Sequence, residues 1–209
     1  MPNCKICIKH PLRRTLVLSQ LYAAYAFYIT LFFKNYMNTK QQTEYWLSGP
    51  VENIPSLLQP VAHALLQSRD ELECALQHFN ENLLWVKPAD IASVGFHLLH
   101  LTGVLDRLFT YAKAEQLNNE QLHHLAEETK EHPEFSLSLL INNYNLQVEK
   151  SLQQLSKTNQ ATLTEERLVG RKKIPSTVNG LLFHAAEHTM RHIGQMIVTI
   201  KFVTEKSNA

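Results

Sequence analysis

From about Gln59 onward, apolar residues recur every three or four positions in four long segments, each too long for a strand and patterned for one buried helical face. The first runs from about Gln59 to Phe79, with Leu65, Leu66, Leu72, Ala75 and Leu76 at apolar positions. Pro60 is tolerated in its opening turn, where a backbone N–H has no helical acceptor anyway. The second starts after Pro88, capped by Asp90 or Ser93, and continues through Val94, Leu98, Leu101, Leu105 and Leu108 to about Ala114. Gly103 inside it is either a weak spot or a close-packing point. The third opens after Pro133 with Ser136 as its cap and carries Leu137, Leu140, Ile141, Tyr144 and Val148 toward Leu155. Residues 157–173 break the pattern, contain Gly170 and the basic run Arg171-Lys172-Lys173, and read as a solvated loop long enough to serve as a lid. The fourth helix begins at Pro175-Ser176, with Ser176 as cap, and extends to about Val203. Four comparable helices predict an all-α four-helix bundle, with the crossing order left open by connections of unequal length.

Composition agrees with this reading, since Gly and Pro are few and Pro falls mostly at segment boundaries. The 20 Lys and Arg residues are interleaved with 19 Asp and Glu residues, so the chain sets up no strong field and no nucleic-acid partner is expected. Cys4, Cys7 and Cys74 cannot form a disulfide framework, and the Cys4–Cys7 pair lacks the second half of a zinc site. The N-terminal part is different in kind. Thr15 to Phe33 is an almost uncharged run, flanked by Arg13-Arg14 and Lys34, with roughly the length of a bilayer span. Either residues 15–33 anchor the chain in a membrane, with the basic flank in the cytoplasm, or translation begins at Met37, where composition turns abruptly polar. The second alternative is favoured, because nothing downstream resembles an exported domain stapled by disulfides. The expected organisation is a hydrophobic extension over residues 1–36 and a cytoplasmic helical domain over residues 37–209.

Chemistry concentrates in the histidines. His184, His188 and His192 are spaced four apart on the fourth helix, and at about 100° per residue each advances by only about 40°, so they form one stripe that includes Gln195. Val178, Leu181, Ala185 and Met196 form the adjacent apolar stripe, which brings the imidazoles to the border of the buried face. Two histidines one turn apart can share a metal ion, which then wants a ligand from another element. The second helix offers His97 and His100. Periodicity mildly prefers His97, but that helix is apolar nearly all round and the choice stays open. His63, His78, His123, His124 and His132 lack a second ligand at helical spacing and read as surface or packing residues.

Two segments carry a family resemblance. His188-Thr-Met-Arg-His192-Ile-Gly-Gln195 resembles the HxxxH motif followed by Gly-Gln on the last helix of the DinB-like (DinB/YfiT-like) metalloprotein superfamily. Ser93-Val94-Gly95-Phe96-His97-Leu98-Leu99-His100-Leu101 is similar to that family's pattern ending in His-Leu. The resemblance spans Glu44 to Val203 and implies an up-and-down four-helix bundle with an unusual long connection. It implies a divalent ion (zinc, nickel or iron) on His100, His188 and His192, with His97, His184 and Gln195 fixing the orientation of the ligand rings or lining the pocket on the vacant side of the ion. It also implies a small-molecule substrate, a low-molecular-weight thiol as cosubstrate of a transferase, and pairing into a homodimer. No residue here specifies the thiol. Hydrolysis by a metal-activated water, with Glu187 or His184 carrying protons, and a non-enzymatic metal-stabilised interaction module are the alternative expectations.

Overall fold

The computed structural model of the chain describes residues 43–207. The expectations for residues 1–36, for Met37 and for the run 15–33 lie outside those residues. Among the described residues, no helix is long and apolar enough to cross a membrane.

The described chain folds into five α-helices and a hairpin: α1 (Gln59–Leu76), α2 (Val94–Ala112), α3 (Asn119–Glu127), α4 (Leu137–Lys157), β1 (Glu166–Val169), β2 (Ile174–Thr177) and α5 (Val178–Ser207). Local chemistry sets the boundaries. Pro60 sits in the first turn of α1, Ser93 Oγ accepts from Phe96 N at the start of α2, and Ser136 Oγ accepts from Leu139 N at the start of α4. Of the two proposed caps for α2, Ser93 is therefore the one used. The expected cap of the last helix moves by one residue. Ser176 is spent in the hairpin opposite Arg167, and Thr177 Oγ1 accepts from Gly180 N instead.

Two elements were not anticipated. The segment 157–173 is not a plain loop, because Glu166–Val169 pairs antiparallel with Ile174–Thr177 around a turn in which Gly170 adopts a φ of 66°. Arg167 Nε donates to Ala112 O, which fastens this hairpin to the C-terminal end of α2, and no hydrogen bond or ion pair among the described residues joins it to the histidines. The lid expectation therefore finds no support in the fold. Helix α3 was missed because it is polar and buries nothing, but it carries a reciprocal cap in which Asn118 Oδ1 accepts from Gln121 N and Gln121 Oε1 accepts from Asn118 N.

Helices α1, α2, α4 and α5 make the bundle. Helix α5 packs against α1 and α2, and α4 packs against the same two, so the consecutive helices α1 and α2 face each other across a diagonal. Arg69 pairs with Glu149 and Asn145 with Glu73, which makes α1 and α4 antiparallel. His97 meets His192 and His100 meets His188, which makes α2 and α5 antiparallel. The groove between α2 and α4 runs from Gly103 and Gln147 to Lys113 and Lys157, so these two run in the same direction. A parallel pair needs a return path along the bundle, and α3 with its flanking loops supplies it. The core is mostly leucine, with Leu65, Leu72, Leu98, Leu105, Leu140 and Leu182 fully buried. Each such side chain contributes about 1.5–3 kcal/mol through burial. The stripe of Val178, Leu181, Ala185 and Met196 is buried as its spacing requires.

Gly95 shows how tightly the start of α2 is held. Its N–H donates to Leu84 O, and a Cβ there would lie 2.5 Å from Trp85 Cζ3. Gly95→Ala is expected to destabilise the domain by about 1–3 kcal/mol through this overlap. A lowered urea midpoint with an unchanged slope would register that loss, and an unchanged midpoint would show that Trp85 moves aside freely.

Candidate metal centre

Antiparallel packing of α2 on α5 sets two histidines from each helix against each other. His100 Nε2 and His188 Nε2 are 2.8 Å apart, and His97 Nδ1 and His192 Nδ1 are 3.0 Å apart. The rings of His100, His188 and His192 form a compact triangle, with centroids 5.1 Å, 4.5 Å and 4.5 Å apart. One nitrogen from each of these three can be chosen so that all lie within 4.8 Å of one another. Phe96 lies flat against His100, with centroids 5.4 Å apart and an interplanar angle of 9°, and gives that ring an apolar wall.

The second nitrogen of each ring decides what the first can do. His100 Nδ1 lies 2.9 Å from Glu128 Oε2, so it carries the proton and donates to the carboxylate, leaving the Nε2 lone pair directed at His188. His192 uses Nδ1 toward His97, which leaves its Nε2 free. His188 Nδ1 is buried without a hydrogen-bond partner. Two imidazole nitrogens 2.8 Å apart need a proton or a cation between them, because two lone pairs at that distance repel. The arrangement of His100, His188 and His192 is thus compatible with a divalent metal, for which three neutral imidazoles are a fitting donor set.

Electrostatics favour the neutral rings. Burial, followed by repulsion from His100, lowers the His97 pKa to about 4. Burial, His100 and His184 lower that of His188 to about 4, and burial with His100 and His188 lowers that of His192 to about 3. Glu128 is only 4% exposed. Burial alone would raise its pKa, but hydrogen bonds from His100 and Arg107, with the His124 imidazole close by, outweigh that and hold it at about 2.

The remaining expected residues sit at the margin. His97 is buried and touches His192 rather than the His100–His188 pair. His184 is half exposed, 5.2 Å by ring centroid from His188, with Nδ1 3.6 Å from Glu187. Glu187 is engaged by Arg191, and one of its carboxylate oxygens lies within 4.8 Å of a ring nitrogen of both His184 and His188, beside the rim of the cluster. Gln195 is exposed and lines a groove of about 500 Å3 with Ile91, His97, Gly194, Val198 and Thr199. Sequence reasoning missed Glu128, Arg107 and His124. His124, by its spacing a surface or packing residue, has its Nδ1 3.3 Å from Glu128 Oε1. The Asn118–Gln121 capping pattern was the available signal that a helix would deliver His124 and Glu128 to this place.

No curated protein matches the chain. Two crystal structures share the fold. One, of a conserved protein from Enterococcus faecalis, is 18% identical with a TM-score of 0.58, covering 72% of this chain and 99% of that one. The other, of a Streptococcus pneumoniae protein, is 13% identical with a TM-score of 0.53, covering 69% of this chain and 88% of that one. The family model described as the DinB superfamily matches residues 64–196, which takes in α2, the α3 connector, α4 and the histidine stripe of α5. The chain therefore belongs to the DinB superfamily.

Proposed function

We propose that this protein is a divalent-metal-dependent enzyme that holds zinc, nickel or iron on His100, His188 and His192 and transfers a small thiol to an electrophilic substrate. The observation that supports it best is the facing pair of Nε2 atoms on His100 and His188, 2.8 Å apart, with the other nitrogen of His100 already committed to a carboxylate. When bound there, such an ion supplies Lewis acidity and favours the anionic form of a coordinated thiol or water at neutral pH. The chain's own groups supply the rest. Three neutral imidazoles leave the charge of the ion uncompensated, and His97 orients His192 by sharing a proton with it. His184, exposed beside His188, is placed to exchange protons with solvent. Structural zinc sites prefer four protein ligands with cysteine, and Cys74, the free cysteine among the described residues, is exposed on α1, away from this cluster.

Metal analysis of the purified chain is expected to find about one ion per chain, and His100→Ala, His188→Ala or His192→Ala should each abolish tight binding. The loaded protein should then accelerate conjugation of small thiols to electrophiles across a panel. Tight metal binding with no acceleration by any thiol would refute the transferase reading. Ester or amide cleavage that needs no thiol would instead select hydrolysis, with His184 as the proton carrier.

The depressed histidine pKa values give a second expectation, for the metal-free protein. His97, His188 and His192 take up protons more readily unfolded, near the ordinary value of 6.5, than folded, near 3–4. Their contribution to stability is therefore complete above pH 6.5 and is lost as pH falls toward 4. Urea midpoints should decline over that interval, and the decline should shrink in His192→Gln. A midpoint that stays flat between pH 7 and 4.5 would contradict the burial of neutral rings.

A further inference from the structure

Between Ala112 and Leu140 the chain buries a single residue, and that residue is a carboxylate, Glu128. Connectors ordinarily bury apolar anchors, whereas a buried acid is costly unless it is paired and hydrogen-bonded. Glu128 is fully committed. Oε2 accepts from His100 Nδ1 at 2.9 Å, while Oε1 accepts from the buried Arg107 guanidinium and faces His124 Nδ1 at 3.3 Å. Arg107 supplies the compensating charge, so the acid stays ionised as a proton acceptor. Space is reserved for this contact. A Cβ at Gly103 would collide with Glu128 Oε1 and lie within 2.6 Å of both the Arg107 guanidinium and His124 Nδ1. The rest of the connector holds the acid in place. Gln121 Nε2 donates to Asp106 Oδ2 and Thr110 Oγ1, each at 2.8 Å, which docks α3 on α2.

We infer that Glu128 is a positioning residue of the metal site: it fixes His100 in the Nδ1–H tautomer, directs Nε2 at the ion, and makes the α2–α4 connector part of the binding machinery. The inference rests on the three-histidine reading for its consequence but not for its geometry. A carboxylate is required because Arg107 and His100 each need an acceptor oxygen, and an amide has only one. Linkage then runs both ways, since whatever aligns His100 favours the ion and the ion favours the docked connector.

The test uses the full chain, zinc as probe and two routes to the same contact. Long-range proton–nitrogen spectra of the metal-free wild type should show His100 in the Nδ1–H form, and Glu128→Gln should shift that population. Zinc affinity, measured by chelator competition, should fall by about 10- to 100-fold in Glu128→Gln. Gly103→Ala, which displaces the carboxylate without touching it chemically, should move both readouts the same way, whereas the neighbouring Glu127→Gln should move neither. A purely structural role would lower thermal stability and leave the tautomer and the affinity of the folded protein unchanged, which would overturn the inference. So would an Nε2–H tautomer of His100 in the wild type. If the wild type binds no zinc, the three-histidine reading fails, and the tautomer result still decides the role of Glu128.

Discussion

The site depends on one packing contact, the antiparallel seam between α2 and α5. Along it, a step of three residues on α2 matches a step of four on α5, so His97 meets His192 as His100 meets His188. That register crowds four imidazoles together, and burial disfavours the charged forms of His97, His188 and His192. Neutral rings crowded together cannot all be donors or all be acceptors. The hydrogen-bond pattern resolves this by turning one nitrogen of His100 and one of His192 outward to partners, which leaves the inner nitrogens for a shared guest.

The direction of the bundle helices bears on the same cluster. Helices α2 and α4 run in parallel, which forces the chain to return along the bundle before α4 can begin. Such a return is expensive for a hydrophobic core, and α3 adds no apolar residue to it. What the return does contribute is a carboxylate and an imidazole beside His100. The long connection and the histidine cluster are therefore two aspects of one architecture, and Gly103 is the place where the connection packs against the cluster's helix.

Much of this was readable from the residues. The spacing of His184, His188 and His192 beside an apolar stripe sets them on one face of the helix at the border of the core, and Ser93 and Ser136 announced their helices through short-range hydrogen bonding. The choice between His97 and His100 was not readable from periodicity, because α2 is buried on most of its circumference and both positions look inward. Nor was Glu128. A polar helix that packs through Gln121 and one acid has no apolar period to detect, and its buried contact is with a residue 28 positions away in sequence. The hairpin escaped for a related reason, since its strands are only four residues long and the second does not alternate between exposed and half-buried positions.

X-ray absorption or crystallography of the zinc-loaded chain would locate the ion and its ligands. Three imidazole nitrogens, from His100, His188 and His192, are expected at about 2.0–2.1 Å from one ion. An ion held by His97 in place of His100, or one bound elsewhere with the three rings unliganded, would contradict that ligand set.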